Sequence, residues 1–161
     1  MLVIDNIKFT REKAILYGSV PVASLARVVE SGVSQTSNIQ YHVQGGIDVL
    51  SRPTLTLKLK GTLEMLCQRC LTLMPYVIAI DTTLTLFMSE EAIDAAERDD
   101  PDIEGIIFTE KLDMAVLIED ELLLALPYAP THQECDTDKM VKVDKPNPFA
   151  VLAALKTKPA E

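Results

Sequence analysis

At 161 residues the chain is long enough for one continuous core, and a hydrophobic share of 48% excludes the composition of a disordered chain. Only 5% of the residues are aromatic, so that core must be built from Leu, Ile, Val and Ala. A formal net charge of −9 works against unaided binding of nucleic acid, which relies on Lys and Arg to neutralise phosphates, and points instead to basic partners.

The first 20 residues combine a short apolar start, broken by Asp5, with the charged segment FTREKAILY, and their pattern assigns no element. No apolar run approaches bilayer length and no basic start precedes a long apolar stretch. A cytoplasmic protein with no membrane span and no secretory signal is therefore expected. Pro21 opens a predicted helix, VASLARVVES, which Gly32 closes. From Asn38 the period changes to two: Ile39, Tyr41 and Val43 alternate with Gln40, His42 and Gln44 until Gly45-Gly46 interrupts the run. The segment TLTLKLKGTLEM alternates more strictly. Leu55, Leu57, Leu59, Leu63 and Met65 share one face and Thr54, Thr56, Lys58, Lys60, Thr62 and Glu64 the other. That is the pattern of a half-buried antiparallel strand, with Gly61 as a predicted kink or bulge.

A second long strand is predicted from about Thr72 to Phe87, with Met74, Tyr76, Ile78, Ile80, Leu84 and Leu86 on one parity. The tetrapeptide CQRC between the two runs is then the turn of a hairpin. Residues 89–105 hold eight acidic side chains against one Arg and read as a solvated, mobile insertion with room for one helical turn. Ile106 to Phe108 is a candidate short strand. Asp113 can cap a helix through MAVLIEDELLLAL, which Pro127 stops. A polar stretch follows to Pro146, and Asn147-Pro148 starts a last predicted helix, PFAVLAALK. The expected architecture is α+β: a central twisted antiparallel sheet, as a meander or partly closed barrel, with about three peripheral helices. The expected organisation is one domain over 1–135 carrying the acidic insertion, then a polar tether and short helix over 136–161.

The chemistry concentrates in the cysteines. All three cysteines and one of the two histidines fall into two pairs, Cys67-x-x-Cys70 and His132-x-x-Cys135. Zinc favours four thiolate or imidazole ligands in a tetrahedron, and a tight C-x-x-C turn can aim two sulfurs at one point. The second pair lies about 60 residues downstream, so only tertiary folding can bring it close. A Cys3His zinc site would be closed and structural. Asp136 or Asp138 are alternatives to His132 as fourth ligand. Two rival readings stand beside the metal: a C-x-x-C thiol oxidoreductase, whose motif normally opens a helix, and cysteines that are merely buried.

Other residues carry weaker signals. Glu119, Asp120 and Glu121 interrupt an apolar helix as its solvated stripe or as an acidic docking strip for a basic protein. Lys58, Lys60 and Arg69 are candidates for a small positive face near the CQRC turn, a thin RNA footprint at three charges. Phe149 and Leu152, at helical spacing in the last helix, are candidates for docking on a partner. His42 lies on a polar strand face and is expected to be exposed. No nucleophile with an obvious base and no phosphate-cradling glycine motif appears, so no enzymatic activity and no small-molecule substrate are expected.

Three segments in order, CQRCL at 67–71, EDELLLALPYAPTH at 119–132 and NPFAVLAALK at 147–156, resemble the YceD-like large-subunit ribosomal RNA accumulation family. The resemblance covers roughly residues 20–157. It implies a bacterial-type ribosome-biogenesis factor supporting accumulation of large-subunit ribosomal RNA. It also implies a metal-binding and nucleic-acid-binding site, which on this chain falls on Cys67, Cys70 and Cys135 with His132 as candidate fourth ligand. The expected partner is a basic ribosomal protein or a large-subunit precursor, and direct contact with RNA is the alternative.

Overall fold

A computed structural model describes residues 3–135. The predicted last helix, with Phe149 and Leu152, lies outside the described residues, as do Asp136 and Asp138.

The α+β expectation holds. A short strand β1 (Val3–Ile4) leads into helix α1 (Asn6–Arg11), which Asp5 caps by accepting a hydrogen bond from Lys8 N at 2.9 Å. Strand β2 (Ile15–Pro21) follows, then a single 3-10 turn (Val22–Ser24) and the five-residue helix α2 (Ala26–Glu30). Three long strands come next: β3 (Asn38–Ile47), β4 (Pro53–Leu66) and β5 (Leu73–Phe87). Helix α3 (Glu90–Asp99), strand β6 (Glu104–Ile107), strand β7 (Leu112–Asp113) and helix α4 (Met114–Ala125) complete the described elements. Strands β2 to β5 form an antiparallel meander in sequence order, and β6 adds to β5 in parallel, so the five-stranded sheet is mixed and open at both edges. β1 and β7 pair separately.

The period-two reading of β4 is borne out on its core face, while on the polar face Thr54 departs from it, buried at 7% exposure. Leu55, Leu57, Leu59 and Leu63 are fully buried and Met65 nearly so, while Lys58 and Lys60 are exposed. These leucines pack with Ile39 and Val43 of β3, Ile78, Leu84 and Leu86 of β5, Val28 of α2, and Met114, Ile118 and Leu122 of α4. Helices therefore cover one face of the meander. On the other face, α3 covers one corner: its Ile93 lies on Gly105, whose strand partner Thr85 is buried. The remainder of that outer face is open.

Two glycines carry functions that the sequence reading assigned differently. Gly61 makes no bulge, because β4 stays in unbroken register with β5 through it and with β3 up to it. A Cβ there would come 2.7 Å from Ile39 Cδ1, so glycine permits close strand packing. Gly45 does not interrupt β3, which runs on to Ile47. A Cβ at Gly45 would stand 2.4 Å from Phe9 O, and its absence lets α1 lie directly on the strand.

The acidic segment also departs from expectation. Ser89 caps a ten-residue helix, with Glu90 and Glu91 in the first turn where the helix dipole favours them, and Arg98 in the last. Helix α3 then serves as the crossover that a parallel β5–β6 pair requires. A run of like charge hid this helix, because its role follows from the parallel pairing of β6 with β5, which no local pattern announces.

Glu119 is another correction. It belongs to no solvated stripe: at 8% exposure its carboxylate accepts from Arg27 N at 3.0 Å and from Arg27 Nε at 3.1 Å. Leu25, at the N-cap of α2, supplies no side-chain cap, and Glu119 serves the open N–H of that helix from α4. Arg27 also donates to Asp120 at 2.7 Å. Arg27→Ala is expected to cost about 1–3 kcal/mol, since it strands a buried carboxylate, with the half-exposed arginine trimming the loss through solvent screening. Denaturant unfolding measures it, and adding Glu119→Gln should recover part, because the amide oxygen still accepts from Arg27 N.

Candidate metal centre

The antiparallel pairing of β4 and β5 ends at Leu66↔Leu73, which makes residues 67–72 the tip of the hairpin. Cys67 N donates to Thr72 O at 2.9 Å and Leu71 N to Cys67 O at 2.9 Å, so the tip is a hydrogen-bonded turn. Leu71 adopts φ 58°, the left-handed conformation that reverses the chain after Cys70 and returns it into β5. This geometry is a turn between strands and not the opening of a helix. It lacks the helix dipole on which a thiol-exchange centre normally depends.

The second pair arrives from α4. Asp113 caps this helix, accepting from Ala115 N at 2.9 Å, and Pro127 follows its C-terminal end. Tyr76 of β5 donates its hydroxyl to Ala125 O at 3.2 Å, which fastens the helix end to the sheet. The chain then passes buried Pro130, whose carbonyl accepts from Gln68 N at 2.8 Å. Arg69 reaches across to donate to His132 O at 3.1 Å. Two backbone carbonyls of the returning segment are thus held by the hairpin tip, and this docking delivers His132 and Cys135.

The four predicted ligands come together. One ligand atom from each of Cys67, Cys70, His132 and Cys135 lies within 4.8 Å of all the others. Cys67 Sγ and Cys135 Sγ are 3.5 Å apart, Cys70 Sγ and His132 Nδ1 3.4 Å, and Cys135 Sγ and His132 Nδ1 3.7 Å. A zinc tetrahedron with Zn–S of about 2.3 Å and Zn–N of about 2.0–2.1 Å has edges of roughly 3.8 Å between sulfurs and roughly 3.6 Å between sulfur and nitrogen. The spacing fits such an ion, and it is far too long for a disulfide; all three thiols are free. Three sulfurs and an imidazole are a soft donor set suited to zinc.

The surroundings favour the thiolate forms of Cys67 and Cys70. Burial alone would push the Cys67 thiol up, but hydrogen bonds from the backbone of Cys70, His132 and Arg69 bring it down from 9.0 to about 5. Thr72 lowers Cys70 through side-chain and backbone hydrogen bonds. His132 is raised by its contacts with the sulfurs of Cys67 and then Cys70. Burial raises Cys135, and Arg69, whose own pKa rises beside that sulfur, opposes the effect. Zinc bound by three thiolates and a neutral imidazole carries a net charge of about −1, and the Arg69 guanidinium stands next to it. A four-ligand protein shell leaves no position for a reacting water, so the chemistry such an ion supplies is structural.

A family model described as large ribosomal RNA subunit accumulation protein YceD matches residues 55–156, more than half of the chain. The chain belongs to the YceD family. The large ribosomal RNA subunit accumulation protein YceD of Haemophilus influenzae is 32% identical over 171 aligned residues, which cover 98% of this chain and 96% of that protein. No solved structure matches the chain. The YceD match begins within β4 and takes in the hairpin tip, α4 and all four candidate ligands. Among the described residues no helix is long and apolar enough to cross a membrane.

The remaining site candidates are dispersed. Lys58 pairs with Asp81 at 2.7 Å, and Lys60 stands six residues before the end of β4. At about 3.4 Å per residue that is roughly 20 Å from the end of the strand. The two lysines therefore lie mid-strand and form no common face with Arg69, which the centre itself engages. Asp120 is tied to Arg27, and Glu121 is half-buried, its pKa raised by burial and then by Glu104 and Asp120. The sequence reading missed Arg27, Thr72 and Tyr76 as supports. Only Pro127, where α4 ends, hinted that the chain turns back there.

Proposed function

We propose that the protein is a non-enzymatic cytoplasmic factor supporting accumulation of large-subunit ribosomal RNA, and that it works by binding a basic protein of the large-subunit precursor through the metal-braced hairpin tip. Family membership supports the process. The observation that carries the binding mode is the set of apolar side chains left exposed on and beside the tip: Leu71 at 67%, Leu73 at 60% and Tyr128 fully exposed. Large apolar side chains clustered at one end of a molecule mark interaction sites more often than chance exposure does. The −9 charge favours a basic partner and speeds the encounter. A zinc ion would hold the tip and the Tyr128 segment in one arrangement, so little ordering entropy is lost on binding. Phe149 and Leu152 would serve as further docking residues, whereas Asp120, tied to Arg27, and the half-buried Glu121 take no part in the contact.

Crosslinking in cells, followed by identification of bound proteins, tests this reading. Basic large-subunit proteins should be enriched with the wild-type chain and lost with Leu71→Asp or Tyr128→Asp, each of which should keep its metal and melting temperature. Unchanged capture by both variants would defeat the tip as the docking site.

A further inference from the structure

The outer face of the sheet has a use that the tip does not explain. Antiparallel register places Tyr17 of β2 beside His42 of β3 and Lys58 of β4, with Ser19, Gln40 and Lys60 as the next row. Ile15, Gln44 and Thr56 form the row on the other side. Continued onto β5, these rows carry two ammonium groups and the single carboxylate of Asp81, in a chain whose net charge is −9. Tyr17 is 77% exposed in the middle of a strand, although aromatic residues make up only 5% of the chain. His42 is half-buried and not exposed as expected, and its buried Nδ1 finds no partner among the described residues. A shallow cavity of about 690 Å³ opens over Tyr17, Ser19, Gln40, His42, Lys58 and Lys60, a size common among ligand sites.

We propose that this face binds single-stranded RNA, with Tyr17 and the His42 ring as stacking surfaces for bases and Lys60 and Lys58 on the phosphates. A flat array of aromatic and imidazole rings beside ammonium groups matches the chemistry of unpaired nucleotides, whose bases offer π-faces and whose backbone offers negative charge. A duplex hides those faces. Charge complementarity is local and small, because Asp81 holds Lys58 at 2.7 Å. The face therefore binds weakly and with modest salt dependence. The proposal rests on the role in ribosomal RNA accumulation but assigns RNA to the middle of the sheet and protein to the tip at the end of β4.

Fluorescence anisotropy with the full, zinc-loaded chain and a labelled unstructured 12-nucleotide RNA tests it. Wild-type affinity should fall about two- to threefold between 50 and 200 mM salt, the decrement of the one phosphate contact that Lys60 makes on a single strand. Tyr17→Ala should weaken binding about fivefold or more and Tyr17→Trp should preserve it. Lys60→Glu should weaken binding further. Asp81→Asn, which frees Lys58, should tighten it and steepen the salt dependence, an effect that a merely structural role for these residues would not produce. Duplex RNA of the same sequence should compete poorly. Equal affinity for duplex, or wild-type binding by both Tyr17→Ala and Lys60→Glu, would overturn the proposal. So would the absence of RNA binding in a preparation that still captures its basic protein partner, and in that case the tip reading stands. Loss of partner capture in the tip variants with RNA binding intact supports both assignments.

Discussion

Protein purified reduced and without chelator is expected to carry close to one zinc ion per chain, and Cys67→Ser to carry far less. Cys67 is fully buried at the base of the tip, 3.5 Å from Cys135, so its loss removes a ligand that water cannot replace without opening the site. Structural zinc sites contribute binding energy directly to folding. At an ion concentration a thousandfold above the dissociation constant, zinc adds about 4 kcal/mol of stability. Chelation should therefore lower the melting temperature markedly and expose residues 127–135 to proteolysis, since the segment would keep only hydrogen bonds such as Pro130 O to Gln68 N and His132 O to Arg69. Elemental analysis and melting curves with and without chelator check both statements.

The pH dependence has a defined sign. In the metal-free chain the Cys67 thiol is lowered from 9.0 to about 5, so its contribution to stability is complete above pH 9 and disappears as pH falls through about 5. His132 is raised above 6.5 and acts oppositely, contributing fully below 6.5 and losing its contribution as pH rises through the folded value. Zinc requires deprotonated ligands throughout. Acidification toward pH 5 should release the ion, because protons then compete even for Cys67.

Leu57→Ala should cost about 2–5 kcal/mol, whereas Lys58→Ala at the next position should change stability by no more than about 0.5–1 kcal/mol. Leu57 is fully buried between β3 and β5 beneath the helices, and its truncation leaves a cavity that rigid neighbouring strands cannot close. Lys58 lies on the open face and loses only a solvent-screened pair with Asp81, whose partners are 45% and 61% exposed. For a chain of this size the leucine variant should melt roughly 5–20 °C lower. Similar losses at both positions would mean that the outer face is covered, which would also remove the surface proposed for RNA.

Local physics made much of this legible. Strict alternation in β4 and β5 identified the buried leucines, because a strand sends successive side chains to opposite faces. Asp113 and Pro127 marked α4 through capping and the missing proline N–H. The candidate cluster was readable because C-x-x-C between two alternating runs has to be a turn, and His-x-x-Cys was the complementary pair in a chain with few such residues.

Elements whose partners are distant in sequence were not readable. Asn6 is fully buried and exchanges three hydrogen bonds with Ile107 and Thr109, about 100 residues away, and this contact seats α1. Helix α3 resembled a solvated charge run, and its crossover role exists only because β6 pairs in parallel with β5 on the far side of the helix in the chain.

By itself the sequence determined which side chains face the core, where the hairpin turns and which four residues suit zinc. Each of these follows from periodicity, turn chemistry or ligand type within a short window. Only the tertiary structure decided that the two ligand pairs meet, that Glu119 caps α2, and that Tyr17, His42, Lys58 and Lys60 share one open surface. Those juxtapositions depend on strand register and helix docking, and they are set by packing summed over the whole core rather than by any local preference.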